Sequence, residues 1–382
     1  SCGFTAGQVW QTCVTPNDKT VDGTTVCSNN ITINEADPEA LMAYRNDSGA
    51  SPNSPRVKAF NTAGNGSWGN QIVLQDSGSP LVNFVIKHST ISNKWVLVTL
   101  GEDSFLDAYS CLLNCNNNNS WTYSNNIGKV GMGIENNSLF DVEFETASGD
   151  AMVVYAVDNS SSARDIGYKV LPAASSNFTG ISESYIDDAT NSSDIQYGPM
   201  RIDRDPVNTS EELIVVAEDR TNTHINAWVW NGSAWGNQQT ISNWAYLNIS
   251  GYHADEGIPL AVKYASDGSK ALVVGSNITS VYAAPLWTYP PVAGAAVYSW
   301  DGASWSDVSD VYFDDGGYSQ PINQITLKAD PTSDDIQGVF TVSQGLFLGP
   351  ALWSGSSWST SYPITQNLYN SEPVDFEWEN YG

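Results

Sequence analysis

Three times in the second half of this 382-residue chain, a tryptophan ends an apolar stretch, a four-residue polar turn follows, and a second tryptophan opens the next stretch. The copies are Trp230-Asn231-Gly232-Ser233-Ala234-Trp235, Trp300-Asp301-Gly302-Ala303-Ser304-Trp305 and Trp353-Ser354-Gly355-Ser356-Ser357-Trp358. Asn-Gly and Asp-Gly between apolar runs signal hairpins, because both residues tolerate positive φ. Looser copies end at Trp68 (after Phe60), Trp121 (after Tyr109) and Phe178 (after Tyr168), and the six landmarks fall 53, 57, 57, 70 and 53 residues apart. A fixed period of this kind marks a repeat architecture, at a length slightly above that of a four-stranded propeller blade.

A second hairpin follows each landmark. Its strands are Leu81–His88 with Lys94–Leu100, Leu139–Thr146 with Ala151–Ala156, Met200–Arg204 with Leu213–Ala217, Leu260–Tyr264 with Ala271–Gly275, and Ile322–Lys328 with Ile336–Val342. The second strand of each pair is nearly continuous apolar, as a strand buried on both faces between stacked blades must be. The sixth pair is split: Val374–Glu379 supplies a first strand at the C-terminus, and Ala40–Tyr44 supplies its partner near the N-terminus. These patterns predict an all-β, six-bladed β-propeller of four-stranded antiparallel blades, closed by one C-terminal plus three N-terminal strands, which removes the free sheet edge. Residues 1–33 read as an N-terminal, cysteine-containing tail or linker and residues 34–382 as the propeller.

Asp and Glu number 42 against 15 Lys and Arg, a formal charge of −27. No basic stripe exists to neutralise phosphates or an anionic bilayer, so nucleic acid is excluded as a partner. No run of 18 apolar residues occurs, so no membrane insertion is expected within this chain. Low lysine with abundant Ser, Thr, Asn and Gly reads as an exported, extracellular or cell-surface protein. Twelve Asn-X-Ser/Thr sequons fit that location: Asn30, Asn46, Asn65, Asn118, Asn136, Asn159, Asn177, Asn191, Asn208, Asn231, Asn248 and Asn277. Of five cysteines, Cys111 and Cys115 are spaced to close a small disulfide ring. Cys2, Cys13 and Cys27 share the tail, where one pair leaves one thiol over.

Strand alternation places hairpins one–two and three–four of every blade on one face, and the longer connections on the other. Binding residues gather on long loops held by a rigid scaffold. Two apolar loops, carrying Trp287, Tyr289 and Phe347, would form a contact patch there, and Trp287, Tyr289 and Tyr318 could stack on sugars. Acidic segments precede the innermost strands, among them Asp255-Glu256 and Asp314-Asp315. Such oxygens suit Ca²⁺, although none has the spacing of a calcium loop and turn formation alone explains Asp and Pro there. No other cofactor is expected.

The tryptophan hairpins resemble those of extracellular β-propeller repeat proteins of prokaryotic cell surfaces, and the Trp-Asp-Gly turn looks like the Asp-box of sialidase-type propellers over some six residues per blade. Those boxes run Ser-X-Asp-X-Gly-X-X-Trp; Asp301-Gly302-Ala303-Ser304-Trp305 lacks the spacer between Asp and Gly. The sialidase resemblance implies three arginines gripping a carboxylate beside a Tyr–Glu pair. Only Arg201 and Arg204 of six arginines fall on an innermost strand, so that activity is not expected. His88, His224 and His253 show no metal spacing. The expectation is a non-enzymatic, N-glycosylated cell-surface or extracellular-appendage protein of filament or adhesion type, partnered by itself or by other surface proteins. The alternatives are a carbohydrate-binding lectin, with glycans as partners, and then a glycoside hydrolase, because fold alone does not choose function.

Overall fold

The computed structural model describes residues 9–10, 13–15, 24–27, 31–32, 38–45, 53–61, 67–131, 138–157, 165–186, 197–222, 224–242, 258–278, 293–313, 322–342 and 348–360. Five blades of four antiparallel strands follow one another, each paired in chain order. Blade 1 comprises Leu81–Ser89, Lys94–Gly101, Phe105–Cys111 and Trp121–Lys129, and blade 2 Phe140–Phe144, Ala151–Ala156, Ile166–Leu171 and Ser184–Ile186. Blade 3 comprises Tyr197–Arg204, Glu212–Asp219, His224–Asn231 and Trp235–Ser242. Blade 4 has Leu260–Tyr264, Ala271–Ile278, Ala293–Trp300 and Trp305–Phe313, and blade 5 has Ile322–Ala329, Ile336–Val342, Leu348–Trp353 and Trp358–Thr360.

In the closing blade, Ala40–Tyr44 pairs with Arg56–Asn61, which pairs in turn with Ser67–Trp68 and Ile72–Val73. The last two are halves of one interrupted strand, so the N-terminal region contributes the three strands expected of it. The expected C-terminal strand, Val374–Glu379, lies outside the described residues. The fold is a six-bladed β-propeller.

The first strands of blades 1 to 5 pack on one another in series and line the axis. Backbone bonds cross between them: Met200 N–H donates to the Ser138 carbonyl at 2.9 Å, and Ile325 N–H to that of Ile258 at 3.0 Å. Side chains add a repeated stitch. The Asp141 carboxylate accepts the Ile202 N–H at 3.1 Å, and Asp203, one blade on, accepts the Tyr264 N–H at 2.8 Å. The second strands sit between neighbouring blades, and every residue of Lys94–Gly101 and Ala151–Ala156 is buried. The core therefore lies in the seams, where full burial of a Val, Leu or Phe contributes about 1.5–3 kcal/mol. One cluster joins blades 1 to 3 through Phe140, Phe144 and Tyr155, a second joins blades 3 and 4, and a third joins blades 4 and 5.

The three tryptophan hairpins share one geometry. Trp230 pairs with Trp235, Trp300 with Trp305 and Trp353 with Trp358, with ring centroids 5.6, 5.1 and 5.5 Å apart. Gly232, Gly302 and Gly355 hold φ of 88°, 86° and 77°, where a side chain would clash with its own backbone. The first tryptophan of each pair is buried. Trp230 Nε1–H donates to Glu145 of blade 2 at 2.6 Å, and Trp300 Nε1–H to Glu212 of blade 3 at 2.8 Å. The hairpins of blades 3 and 4 thus latch to a carboxylate of the preceding blade.

Two landmarks differ from expectation. Trp121 pairs with Cys111, not with Tyr109, because the Cys111–Cys115 disulfide occupies the turn. Phe178 is not on a strand: the fourth strand of blade 2 begins at Ser184, and Phe178 is a buried plug whose N–H donates to Ser124 of blade 1. Within residues 1–33, Val9–Trp10 pairs with Ile31–Thr32, and Cys13–Val14 pairs with Val26–Cys27. A Cys13–Cys27 disulfide spans the second pair. Cys2 lies outside the described residues.

Asp107 sits where strands three and four of blade 1 slip register, and accepts the N–H of Asn126 at 2.7 Å. Burial pushes its carboxyl up to about 6, against hydrogen bonds from Asn126 and Tyr123. A folded-state value raised above the unfolded one contributes stability that is present below the unfolded pKa and lost as pH rises through the folded pKa. Raising the pH from 4 to 7 therefore destabilises the fold through this group. Asp107→Asn keeps the acceptor and removes the charge. Its stability, followed by urea unfolding, should equal or exceed that of the parent at pH 7 and change less between pH 4 and 7. An unaltered pH slope would refute the assignment.

Candidate functional site

Two concave sites are built from the described residues. The first is the mouth of the axial channel on the hairpin face, a cavity of about 370 Å³ lined by Lys87, Glu143, Asp203, Arg204, Lys263 and Tyr264. Lys87 Nζ lies 2.8 Å from Glu143 Oε2, Arg204 Nη1 3.8 Å from Glu143 Oε1, and Lys263 Nζ 3.0 Å from Asp203 Oδ1. Burial raises the Glu143 carboxyl, but Lys87 and then Arg204 more than reverse this and hold it below the usual carboxylate range. Glu143 in return raises the Lys87 ammonium. Burial raises Asp141 despite the nearby Lys87 and Arg201. Three cations and two carboxylates thus pair along this mouth.

The second site is a groove of about 690 Å³ at the seam between the closing blade and blade 1. One wall is the interrupted outer strand, with Ser67, Asn70, Gln71, Ile72 and Val73; the other is the Asn116–Asn118 stretch of the blade 1 hairpin. Among the described residues, no charged side chain lines it. The break in the strand makes the wall concave: Gly69 N–H still donates to the Ala59 carbonyl at 2.7 Å, but residues 69–71 leave the ladder. Tyr44 donates its hydroxyl to Gln71 Oε1 at 2.6 Å and fixes that amide. Val73 leaves 41 % of its surface exposed, giving the groove an apolar patch among neutral amides. Opposite, Trp121 Nε1–H donates to the Cys115 carbonyl at 3.1 Å, and the Cys111–Cys115 disulfide is buried beneath, so the asparagine wall is pinned. Trp68, also exposed on this strand, pairs with Phe60, ring centroids 5.4 Å apart.

The binding residues expected from sequence, Trp287, Tyr289, Phe347 and Tyr318, lie outside the described residues, as do the metal candidates Asp255, Glu256, Asp314 and Asp315. The described residues contain no group of three or more His, Cys, Asp or Glu side chains able to hold a metal ion. Cys111 and Cys115 are joined as expected. Arg201 donates to the Met200 carbonyl, Arg204 faces Glu143 and Arg220 faces Glu218 at 3.1 Å, three separate partners. Of the sequons, Asn118, Asn177, Asn208 and Asn231 are described, all on hairpin connections. Asn277 is described only as strand backbone, and the remaining seven lie outside the described residues. Neither concave site was named from sequence. The channel mouth had a signal, charged residues interrupting apolar first strands (Lys87, Glu143, Asp203, Lys263). The groove had almost none, because asparagine-rich turns look alike whether or not they face a cavity.

No protein-family model matches the chain, and no curated protein matches it. Among solved structures, it is similar to a lectin of Aleuria aurantia, described as a six-bladed β-propeller with a novel fucose recognition mode. The identity is 13 % over 88 % of this chain and 96 % of that one, with a TM-score of 0.40. It is also similar to the BP39L lectin of Burkholderia pseudomallei (12 %, 93 % and 95 %, TM-score 0.43). A putative 6-phosphogluconolactonase of Bacteroides uniformis matches at 11 %, over 86 % and 82 %, with a TM-score of 0.42. At these values none of the three carries an argument about this chain, and the fold assignment rests on its own strand pairing. No helix among the described residues is long and apolar enough to cross a membrane.

Proposed function

We propose that this chain is an exported propeller that binds neutral carbohydrate in the groove between the closing blade and blade 1. The observation that carries this reading is the lining: the amides of Asn70, Gln71 and Asn116–Asn118, the Ser67 hydroxyl and an exposed Val73 patch. A sugar ring offers hydroxyls that both donate and accept, plus an apolar C–H face. Neutral amides match the former and an aliphatic patch the latter. The volume falls within the few hundred to about 1,000 Å³ usual for ligand clefts. With no cation among the described wall residues and a chain charge of −27, acidic sugars are disfavoured. Two disulfides support an oxidising, exported location.

A glycan array of neutral and acidic oligosaccharides tests this. Binding confined to neutral probes, and weakened about tenfold or more by Gln71→Ala or Val73→Asp in variants of unchanged melting temperature, is the expected result. Binding unaffected by both variants would place any sugar site elsewhere. The protein is read as a binder without turnover, so a panel of chromogenic glycosides should release no product.

A second reading, covalent self-association in a surface assembly, is favoured by cysteine arithmetic. The two disulfides use four of five cysteines and leave Cys2. Non-reducing electrophoresis should show a dimer that Cys2→Ser abolishes; a single monomeric band would end this reading.

A further inference from the structure

We infer that an N-linked glycan on Asn118 occupies the groove, so that modification of this sequon restricts the access of other carbohydrate to the site. The inference rests on the neutral-sugar reading of the groove. Asn118 is exposed and its residue forms part of the groove wall. The other described sequons sit elsewhere: Asn177 on blade 2, and Asn208 and Asn231 on the hairpins of blade 3.

Position is what distinguishes Asn118. It opens a single 3₁₀ turn, Asn118–Ser120, capped by Asn117, whose Oδ1 accepts the Asn119 N–H at 3.0 Å. Ser120, the hydroxyl residue of the sequon, donates its backbone N–H to the Asn117 carbonyl at 3.1 Å. The disulfide and the Trp121 indole bond hold this turn against the seam, so a sugar joined to Asn118 starts at the groove wall. The modification transfers an oligosaccharide from a lipid-diphosphate donor. A bond forms between Asn118 Nδ2 and the sugar C1, the C1–oxygen bond to the diphosphate breaks, the lipid diphosphate leaves and Nδ2 loses a proton. Once attached, the glycan faces the groove at an effective concentration on the order of millimolar. A tethered sugar of millimolar affinity then fills about half of the grooves and weakens free sugars about twofold, without any change in the fold.

Ser120→Ala tests this, because it destroys the sequon and leaves Asn118 in the wall. The parent and this variant are produced in a host that performs N-glycosylation, and mass spectrometry establishes occupancy of Asn118. Two readouts follow: binding to the neutral glycan array, and hydrogen exchange of the amides of residues 69–73. The glycosylated parent should bind about twofold more weakly than Ser120→Ala and show slower exchange at residues 69–73. Asn208→Gln serves as a control that should match the parent. Slower exchange in the parent with no array binding by either form would sustain the occupied groove and remove the free-sugar function. Equal array binding with equal exchange would overturn the inference and leave the function standing. Absence of glycan on Asn118 would overturn it outright.

Discussion

Trp230→Ala should lower the unfolding free energy by about 4 kcal/mol, one of the largest single-residue effects expected in this protein. Trp230 is 5 % exposed and packs against Tyr168 of blade 2, with ring centroids 5.7 Å apart, as well as against its hairpin partner Trp235. Truncation opens a cavity at the seam of blades 2 and 3 and strips Glu145 of an indole donor. Burial already raises the Glu145 carboxyl, with Ser148 and Trp230 opposing it, so removal of Trp230 drives it higher. Trp230→Phe separates the two contributions. It keeps most of the ring and loses the N–H, and should cost about 1.5–3 kcal/mol, the range for a hydrogen bond to a charged group. Combined with Glu145→Gln, the loss should fall short of the sum of the two single losses. Strict additivity in urea unfolding would show that the indole–carboxylate contact contributes nothing.

Lys87→Met should destabilise by about 3 kcal/mol at pH 7, the lower end for stranding one member of a buried ion pair. The Glu143 side chain is 7 % exposed, and without Lys87 its remaining cation is Arg204 at 3.8 Å. The pH dependence has a definite sign. In the parent, Glu143 is held below the usual range, so its contribution is present above the unfolded pKa and lost as pH falls through the folded one. In the variant, burial dominates and the carboxyl moves up, so protonation relieves the strain. The gap between parent and variant should therefore narrow from pH 7 to pH 4. A gap that widens would contradict the pairing. Lys87→Met with Glu143→Leu, replacing both charges together, should recover most of the loss.

Strand order, hairpin positions and the three-strand N-terminal contribution were legible because they follow from period and alternation. Met152-Val153-Val154-Tyr155 has no polar side chain to present to water, so it had to be a strand covered on both faces. The turn at Cys111–Cys115 misled the pairing of Trp121, since a disulfide fixes register by a covalent constraint that hydrophobic patterning does not report. Phe178 misled it for another reason: an aromatic at the right spacing can plug a neighbouring seam instead of opening a strand. The groove depends on residues 69–71 leaving their ladder, a local departure from regular pairing in a stretch that alternation treats as uniform.

The latch from tryptophan to carboxylate runs the same way at both seams that have it, from the hairpin to the blade before it. Blade 3 asks for Glu145 in blade 2, and blade 4 asks for Glu212 in blade 3. Blade 4 offers blade 5 something else: Lys270 Nζ donates to the Gly355 carbonyl of the next hairpin at 3.1 Å. The blades are therefore addressed units and not interchangeable tiles. Inserting a second copy of blade 4 behind itself would set a Trp300 hairpin against Lys270 in place of Glu212, and a ring built of identical copies would first have to rewrite that contact.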